Sequence, residues 1–345
     1  MPAQRRGSLA GSPVRSTALP VVAGPSKNTQ IARRESPARR ESPQTVRPRR
    51  GWARAALVTA RPRQWIKNAL VIAAAGAAGA LGRDDVPVRV GLACLAFCLI
   101  SAGIYALNDV RDVDEDRRHP RKRFRPIAAR ELPVRDAVLL GVGWLLGGLL
   151  LCLAIRPLLA AVGLGYVALT LSYTWIWRHI LVLDIVAIAG GFVLRALAGG
   201  VAAPVTLSRW FVLVVTCAAL FIAAGKRQAE LTRTTARMRA GDESVDHRRV
   251  LHHYSPGGLR LLLAGSGAGA LFAYCVWAFQ VVAVHGVPWR LLTVIPFTAC
   301  MLRYGALVRA GEGEAPEEML LSDRVLMISG GLWLLLFALT VHASG

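Results

Sequence analysis

Asn108-Asp109-Val110-Arg111-Asp112-Val113-Asp114-Glu115-Asp116 sets five acids into nine residues, directly behind an apolar run that begins near Val88. Carboxylates are expensive beside hydrocarbon, so a cluster at the mouth of an apolar segment points to a site rather than to a surface. Asp109, Asp112 and Asp116 stand at i, i+3 and i+7. If the helix runs on, the three share one face and can hold a hard cation between them. Carboxylates joined by the amide oxygen of Asn108 suit Mg²⁺, which in such sites usually also grips a substrate phosphate. Asp109, Asp112 and Asp116 are therefore the candidate catalytic residues, and Asn108 joins them as a candidate metal ligand. A solvated loop of mixed charge would explain the surrounding Arg111, Arg117, Arg118, Arg121, Lys122, Arg123 and Arg125, but not that acidic register at a helix mouth.

The apolar run is one of nine. The chain of 345 residues is 54% hydrophobic with a mean hydropathy of +0.43, and its apolar residues come in blocks. Blocks near the ~20 residues needed to cross a bilayer fall at 65–82, 88–108, 136–154, 158–175, 181–202, 209–225, 259–283, 288–308 and 324–342. Only Arg156 and Pro157 separate the third from the fourth. The pattern predicts an all-α membrane protein of nine transmembrane helices. The net charge of +21 is uneven: residues 109–135 carry nine Lys/Arg and 226–258 carry seven, while 83–87, 155–157, 203–208 and 284–287 carry one or none. Short loops rich in Lys/Arg face the cytoplasm. Nine spans put both basic loops and the N-terminus on that side, as expected for a multi-pass protein of the cell (inner) membrane.

Residues 1–50 hold 11 Lys/Arg against two acids and repeat Arg-Arg-Glu-Ser-Pro at 33–37 and 39–43. Such a composition cannot bury a core, so it reads as a disordered basic tail ahead of one membrane domain, 51–345. The tail either lies against anionic head groups or stays solvated, and no specific nucleic acid partner is expected. Cys94, Cys98, Cys152, Cys217, Cys275 and Cys300 all sit in apolar spans without a Cys-x-x-Cys pair, and read as packing residues. Paired glycines, such as Gly147-Gly148 and Gly199-Gly200, read as places where helices approach closely in lipid.

Three further polar groups recur near the basic side. Arg61-Pro62-Arg63-Gln64-Trp65-Ile66-Lys67-Asn68 opens the first span. Interfacial anchoring accounts for Trp65, while Lys67 is a candidate phosphate ligand. Lys226-Arg227-Gln228-Ala229-Glu230 closes the sixth span, where Glu230 is open to two roles, a second metal ligand or a salt-bridge partner. The third group is Tyr173, Arg178, His179, Asp184 and Arg195 around the fifth span. Asp184 and Arg195 are eleven residues apart, three turns on one face, and should meet a polar cavity or ion-pair partners rather than lipid. His179 reads as an interface residue, and His252 and His253 as surface residues. Together these groups describe a membrane-embedded pocket with a carboxylate Mg²⁺ site and a ring of Arg and Lys. One substrate should carry phosphates and the other should be a lipid.

The Asn-Asp-x-x-Asp-x-x-x-Asp register, the nine spans and the second charged loop resemble the UbiA superfamily of intramembrane prenyltransferases over about 55–343. Within it, Arg61–Asn68, Lys122-Arg123-Phe124-Arg125-Pro126-Ile127-Ala128, Leu194-Arg195-Ala196-x-Ala198-Gly199-Gly200 and Gly225-Lys226-Arg227-x-Ala229-Glu230 resemble the branch that moves phosphoribosyl onto decaprenyl phosphate for cell-wall arabinan. The resemblance implies a UbiA-like helical bundle with a cytoplasm-facing polar cavity, and Mg²⁺ as cofactor. Phosphoribosyl diphosphate and a polyprenyl phosphate would be the substrates, among membrane lipids. Asn108, Asp109, Asp112 and Asp116 would hold the metal. Lys67, Asn68, Arg118, Lys122, Arg125, Tyr173, Asp184, Arg195, Lys226, Arg227 and Glu230 would bind substrate. Self-association is left open.

One departure bears on the substrate. The aromatic prenyltransferase branch carries a second Asp-x-x-x-Asp motif at the end of the sixth span, where this chain has Lys226–Glu230, and Asp242-x-x-x-Asp246 stands later in the loop. Cations in that place suit a 5-phosphate, which phosphoribosyl diphosphate has and a prenyl diphosphate lacks. The rivals are a polyprenyltransferase that moves a prenyl group from a prenyl diphosphate to an aromatic acceptor, and a transporter of phosphorylated lipid. No inverted repeat supports the transporter.

Overall fold

A computed structural model describes residues 50–175, 181–239, 255–280, 289–312 and 316–344. The tail up to residue 49, Arg178, His179, Asp242, Asp246, His252 and His253 lie outside them. The described residues are helical and run α1 Trp52–Ala60, a 3-10 segment Pro62–Asn68, α2 Ala69–Ala77, α3 Val86–Arg111, α4 Val113–Arg118, a second 3-10 turn Lys122–Phe124, and α5 Val134–Ile155. Then follow α6 Pro157–Trp175, α7 Leu181–Ala202, α8 Arg209–Arg239, α9 Pro256–Phe279, α10 Trp289–Leu292, α11 Val294–Arg309, α12 Pro316–Ser322 and α13 Arg324–Ser344.

Seven of these stretches are long and apolar enough to cross a membrane: α3, α5, α6, α7, α8, α9, and α10 with α11 taken together. The narrow gap between the third and fourth expected spans is real. Arg156 adopts an extended φ of −166°, and α6 restarts on Pro157, a residue suited to a helix's first turn. The first expected span differs from a plain helix. It begins as the 3-10 segment, seven residues, and continues as α2, nine residues. Neither piece alone has the length of a membrane-crossing helix. The sixth expected span also differs, since α8 continues to Arg239 and carries Lys226–Glu230 within it.

α3 and α7 are the most buried of the seven and form the centre. α5 packs against α3 and α6 and turns Leu139, Leu146, Leu150 and Leu153 outward, as a lipid-facing surface should. The α3–α5 seam is set by missing side chains. A Cβ on Gly103 would stand 2.6 Å from the Gly141 carbonyl oxygen, and one on Gly148 2.7 Å from that of Ala96. Lipid gives little hydrophobic drive to helix association, so such backbone proximity supplies the packing attraction. All six cysteines are free thiols, buried or half-buried.

Candidate active site

The mouth of the site forms where α3 ends. The helix does not run on through the acids. Asp112 caps it with φ −89° and ψ 10°, and α4 restarts at Val113 with only six residues. The single straight face expected for Asp109, Asp112 and Asp116 is therefore broken at its middle member. Asp109 and Asp116 are nonetheless buried together, at 4% and 1% exposure, while Asp112 and Asn108 are half-buried. Arg125 leaves the second 3-10 turn and bridges them. Its Nη1 donates to Asp109 Oδ1 at 3.1 Å and to Asp116 Oδ2 at 2.7 Å. Lys122 Nζ lies 3.9 Å from Asp116 Oδ1, a buried oxygen that accepts no hydrogen bond.

Arg61 closes the mouth from the other side. It ends α1 in the left-handed region at φ 52°, a conformation a non-glycine residue holds only when its surroundings determine it. Here they do. α1 is seated through buried Ala55, Ala56, Thr59 and Ala60, and Trp52 Nε1 donates to Asp136 Oδ2 at 2.9 Å. Arg61 Nη2 then donates to Asp109 Oδ1 at 2.5 Å, with its guanidinium 5.0 Å from the Tyr105 ring centre. Arg118 ends α4 exposed.

No three carboxylate, histidine or cysteine groups converge into a ready cage among the described residues. The donor chemistry still fits a hard divalent ion. Two carboxylates already share one positive nitrogen, and Asp116 keeps an unsatisfied oxygen.

A second cluster lies beside the mouth, joining α6, α7 and α8. Tyr173 Oη donates to Asp184 Oδ1 at 2.7 Å. Arg227 holds Asp184 through Nε and, at 2.6 Å, through Nη2, and its Nη1 pairs with Glu230. Of the two roles open to Glu230 this is the salt-bridge one. Arg227, 3% exposed, has every nitrogen engaged within the protein, so it holds the cluster together. Lys226, one residue earlier, is half-buried. Arg111 ties α3 to α6 by donating to the Thr174 carbonyl oxygen at 2.7 Å.

Arg195 belongs to a third, deeper cluster and does not pair with Asp184. Its Nε donates to Asn68 Oδ1 at 2.7 Å and its Nη2 to Tyr166 Oη at 2.7 Å. Asn68, 1% exposed, donates in turn to Cys98 Sγ at 3.2 Å. The 3-10 segment thus descends along α3, from Arg61 at the level of Asp109 to Asn68 at the level of Cys98. Lys67 Nζ donates to Gln64 Oε1 at 2.5 Å on the same segment. Non-helical backbone at membrane depth is tolerated where it is buried in protein or lines a cavity. Sequence reasoning assigned no role to Arg61 or Tyr166. Tyr166 stands seven residues before Tyr173, two turns on one face, and that spacing was the available signal. A separate cavity of about 380 Å³, lined by Ala77, Arg83, Thr206, Ser208 and Phe211, sits at the far end of α7 and has no carboxylate in its lining.

Residues 69–330 match the UbiA prenyltransferase family. The chain belongs to that family. A decaprenyl-phosphate phosphoribosyltransferase of Corynebacterium glutamicum is 40% identical over 292 residues, 82% of this chain and 85% of its own length. A protein of the same name from Mycobacterium tuberculosis is 40% identical over 285 residues, 79% of this chain and 90% of its own. Among solved structures, a UbiA homologue from Archaeoglobus fulgidus bound to GPP and Mg²⁺ superposes with a TM-score of 0.61 at 19% identity, covering 84% of this chain and 99% of that one. A digeranylgeranylglyceryl phosphate synthase gives 0.58 at 15% identity, covering 85% and 98%. The architecture is thus UbiA-like and all-helical.

Proposed function

We propose that the chain moves the 5-phosphoribosyl group of phosphoribosyl diphosphate onto a polyprenyl (decaprenyl) phosphate, releasing diphosphate, in the supply of cell-wall arabinan precursors. The observation that carries this reading is the long match, at 40% identity, to proteins named for that transfer. The geometry supports it from the residues upward. Among the described residues, Asp109 and Asp116 form a buried carboxylate pair bridged by Arg125, and Lys226–Glu230 stands where a prenyl-diphosphate enzyme would need a second acidic motif.

Asp109 and Asp116, with Asn108 and Asp112 beside them, would hold Mg²⁺, which when bound neutralises charge on the leaving diphosphate. Lys122 and Arg125 stand at the mouth, and they, with Lys67 lower on the 3-10 segment and Lys226 beside Arg227, would bind phosphate oxygens, Arg in bidentate fashion. The bond from ribosyl C1 to the diphosphate oxygen breaks with its electron pair on diphosphate, and C1 develops oxocarbenium character. A lipid phosphate oxygen forms the new bond to C1. That oxygen is anionic at neutral pH, so no strong general base is required.

The 3-10 segment with α2, and α13, would complete nine passes with the seven long helices. The Lys/Arg-rich stretches 109–135 and 226–258 support a cytoplasmic mouth and N-terminus in the cell membrane. The deciding experiment offers purified protein phosphoribosyl diphosphate with decaprenyl phosphate and Mg²⁺, and separately a prenyl diphosphate with an aromatic acid. Diphosphate release and a lipid-linked phosphoribose are expected in the first reaction alone. Turnover in the second alone would overturn the reading.

A further inference from the structure

We propose that Arg195 is the centre of a subsite for a phosphate monoester, distinct from the carboxylate mouth. The proposal rests on the phosphoribosyl-transfer reading only for which monoesters are at hand. Arg195 is 5% exposed and lies fourteen residues into α7. Its three hydrogen bonds all go to neutral oxygens: Asn68 Oδ1 at 2.7 Å from Nε, the Gly191 carbonyl at 2.9 Å from Nη1, and Tyr166 Oη at 2.7 Å from Nη2. The Tyr166 ring centre is 4.6 Å from the guanidinium carbon. A guanidinium carries five N–H donors, so one on each Nη falls outside these bonds.

The charge balance is what points to a ligand. Arg227 is buried with two carboxylates against it, Asp184 and Glu230. Arg195 is buried as deeply, and no carboxylate among the described residues pairs with it. A cation without a counter-charge is strongly disfavoured in a low-dielectric interior. Its surroundings instead hold it still. Asn68 is oriented by Cys98, and Tyr166 Oη lies 3.5 Å from Ser101 Oγ. A rigid, desolvated guanidinium with donors to spare is the chemistry that selects a phosphate.

Depth separates this subsite from the mouth. Tyr166 is seven residues from Tyr173 on α6, and Ser101 is eight from Asp109 on α3. At ~1.5 Å per residue, Arg195 works roughly 10–12 Å below the carboxylates. A sugar that carries a diphosphate at one end and a monoester at the other has that reach. The lipid substrate is a phosphate monoester as well, so the 5-phosphate of the donor and the acceptor's own phosphate are the two sources of the same chemistry.

The test titrates the purified full chain in detergent with ribose 5-phosphate, with farnesyl phosphate, and with Mg²⁺-diphosphate as reporter of the mouth. Wild type is compared with Arg195→Gln, Arg195→Lys and Tyr166→Phe. Arg195→Gln should weaken one monoester about tenfold or more, Lys should restore some of it, and Tyr166→Phe should cost a few-fold, as for hydrogen bonds to charged groups. Mg²⁺-diphosphate binding should hold in all three. A loss for ribose 5-phosphate assigns the donor's 5-phosphate, and a loss for farnesyl phosphate assigns the acceptor. Unchanged affinity for both monoesters, no binding of either by wild type, or a parallel loss of Mg²⁺-diphosphate overturns the subsite. Arg195-dependent binding of farnesyl phosphate by a protein that transfers no phosphoribosyl would remove the proposed reaction and leave the subsite standing.

Discussion

Arg125 sets its Nη1 2.7 Å from Asp116 Oδ2, and the same nitrogen reaches Asp109 Oδ1 at 3.1 Å. A guanidinium therefore stands between the two buried carboxylates best placed for a metal, and an ion entering there must displace it. Arg125→Gln should lower the thermal midpoint of metal-free protein, by the equivalent of about 1 kcal/mol for a pair whose cation is partly exposed. Mg²⁺ should then stabilise the variant more than it stabilises wild type. Equal Mg²⁺-induced shifts in thermal unfolding of the two proteins would sink the exchange.

Asp109→Asn and Asp112→Asn should each cut turnover about a hundredfold while the protein stays folded, in the range seen when one electrostatic stabiliser of a transition state is removed. Chelation of Mg²⁺ should abolish turnover in wild type, and Mg²⁺ added back should restore it. Near-wild-type rates in either variant, with unfolding monitored alongside, would defeat the metal assignment.

Arg227 and Asp184 are joined across α8 and α7, 43 residues apart in the chain, with side chains 4% and 1% exposed. Removing one partner of such a pair strands a buried charge, which costs about 3–5 kcal/mol. Arg227→Met and Asp184→Asn should each destabilise strongly, and the double variant should recover some of the loss. Strict additivity in the double-mutant cycle would mean that the two do not couple.

Lys226 stands beside that cluster and should discriminate between substrates. Lys226→Ala is expected to raise KM for phosphoribosyl diphosphate more than KM for the lipid. Equal changes in both would mark it as an interfacial anchor.

Gly199 lets α7 meet the start of α2. A Cβ there would stand 2.1 Å from the Val71 carbonyl oxygen, whereas one on Gly143 meets nothing within 4 Å. Gly199→Ala should therefore cost about 1–3 kcal/mol as overpacking, and Gly143→Ala should be nearly neutral. Comparable thermal midpoints for the two variants would refute the close approach.

Much of the fold was legible in the hydropathy. α7 begins and ends where the apolar block 181–202 does, and Arg156-Pro157 separates α5 from α6 as expected. Patterns fail where polar and apolar signals overlap. Lys67 and Asn68 lie inside the block 65–82 without breaking it, yet the chain there is 3-10 rather than α, with Asn68 held by Arg195 and Cys98 inside the bundle. Lys226–Glu230 read as the end of a helix, but α8 passes through them, since Arg227 is neutralised by Asp184 and Glu230 and so can stay buried.

Residue order alone determined that this is a helical membrane protein with acids at one helix mouth, because the cost of placing charge beside hydrocarbon depends on local composition. Which charges meet is a different matter. That Arg125 rather than a neighbouring arginine bridges Asp109 and Asp116, that Asp184 pairs with Arg227, and that Arg195 is left with neutral partners were decided by tertiary structure. Coulomb and hydrogen-bond energies fall within a few ångströms, and only packing brings residues from distant helices to that range.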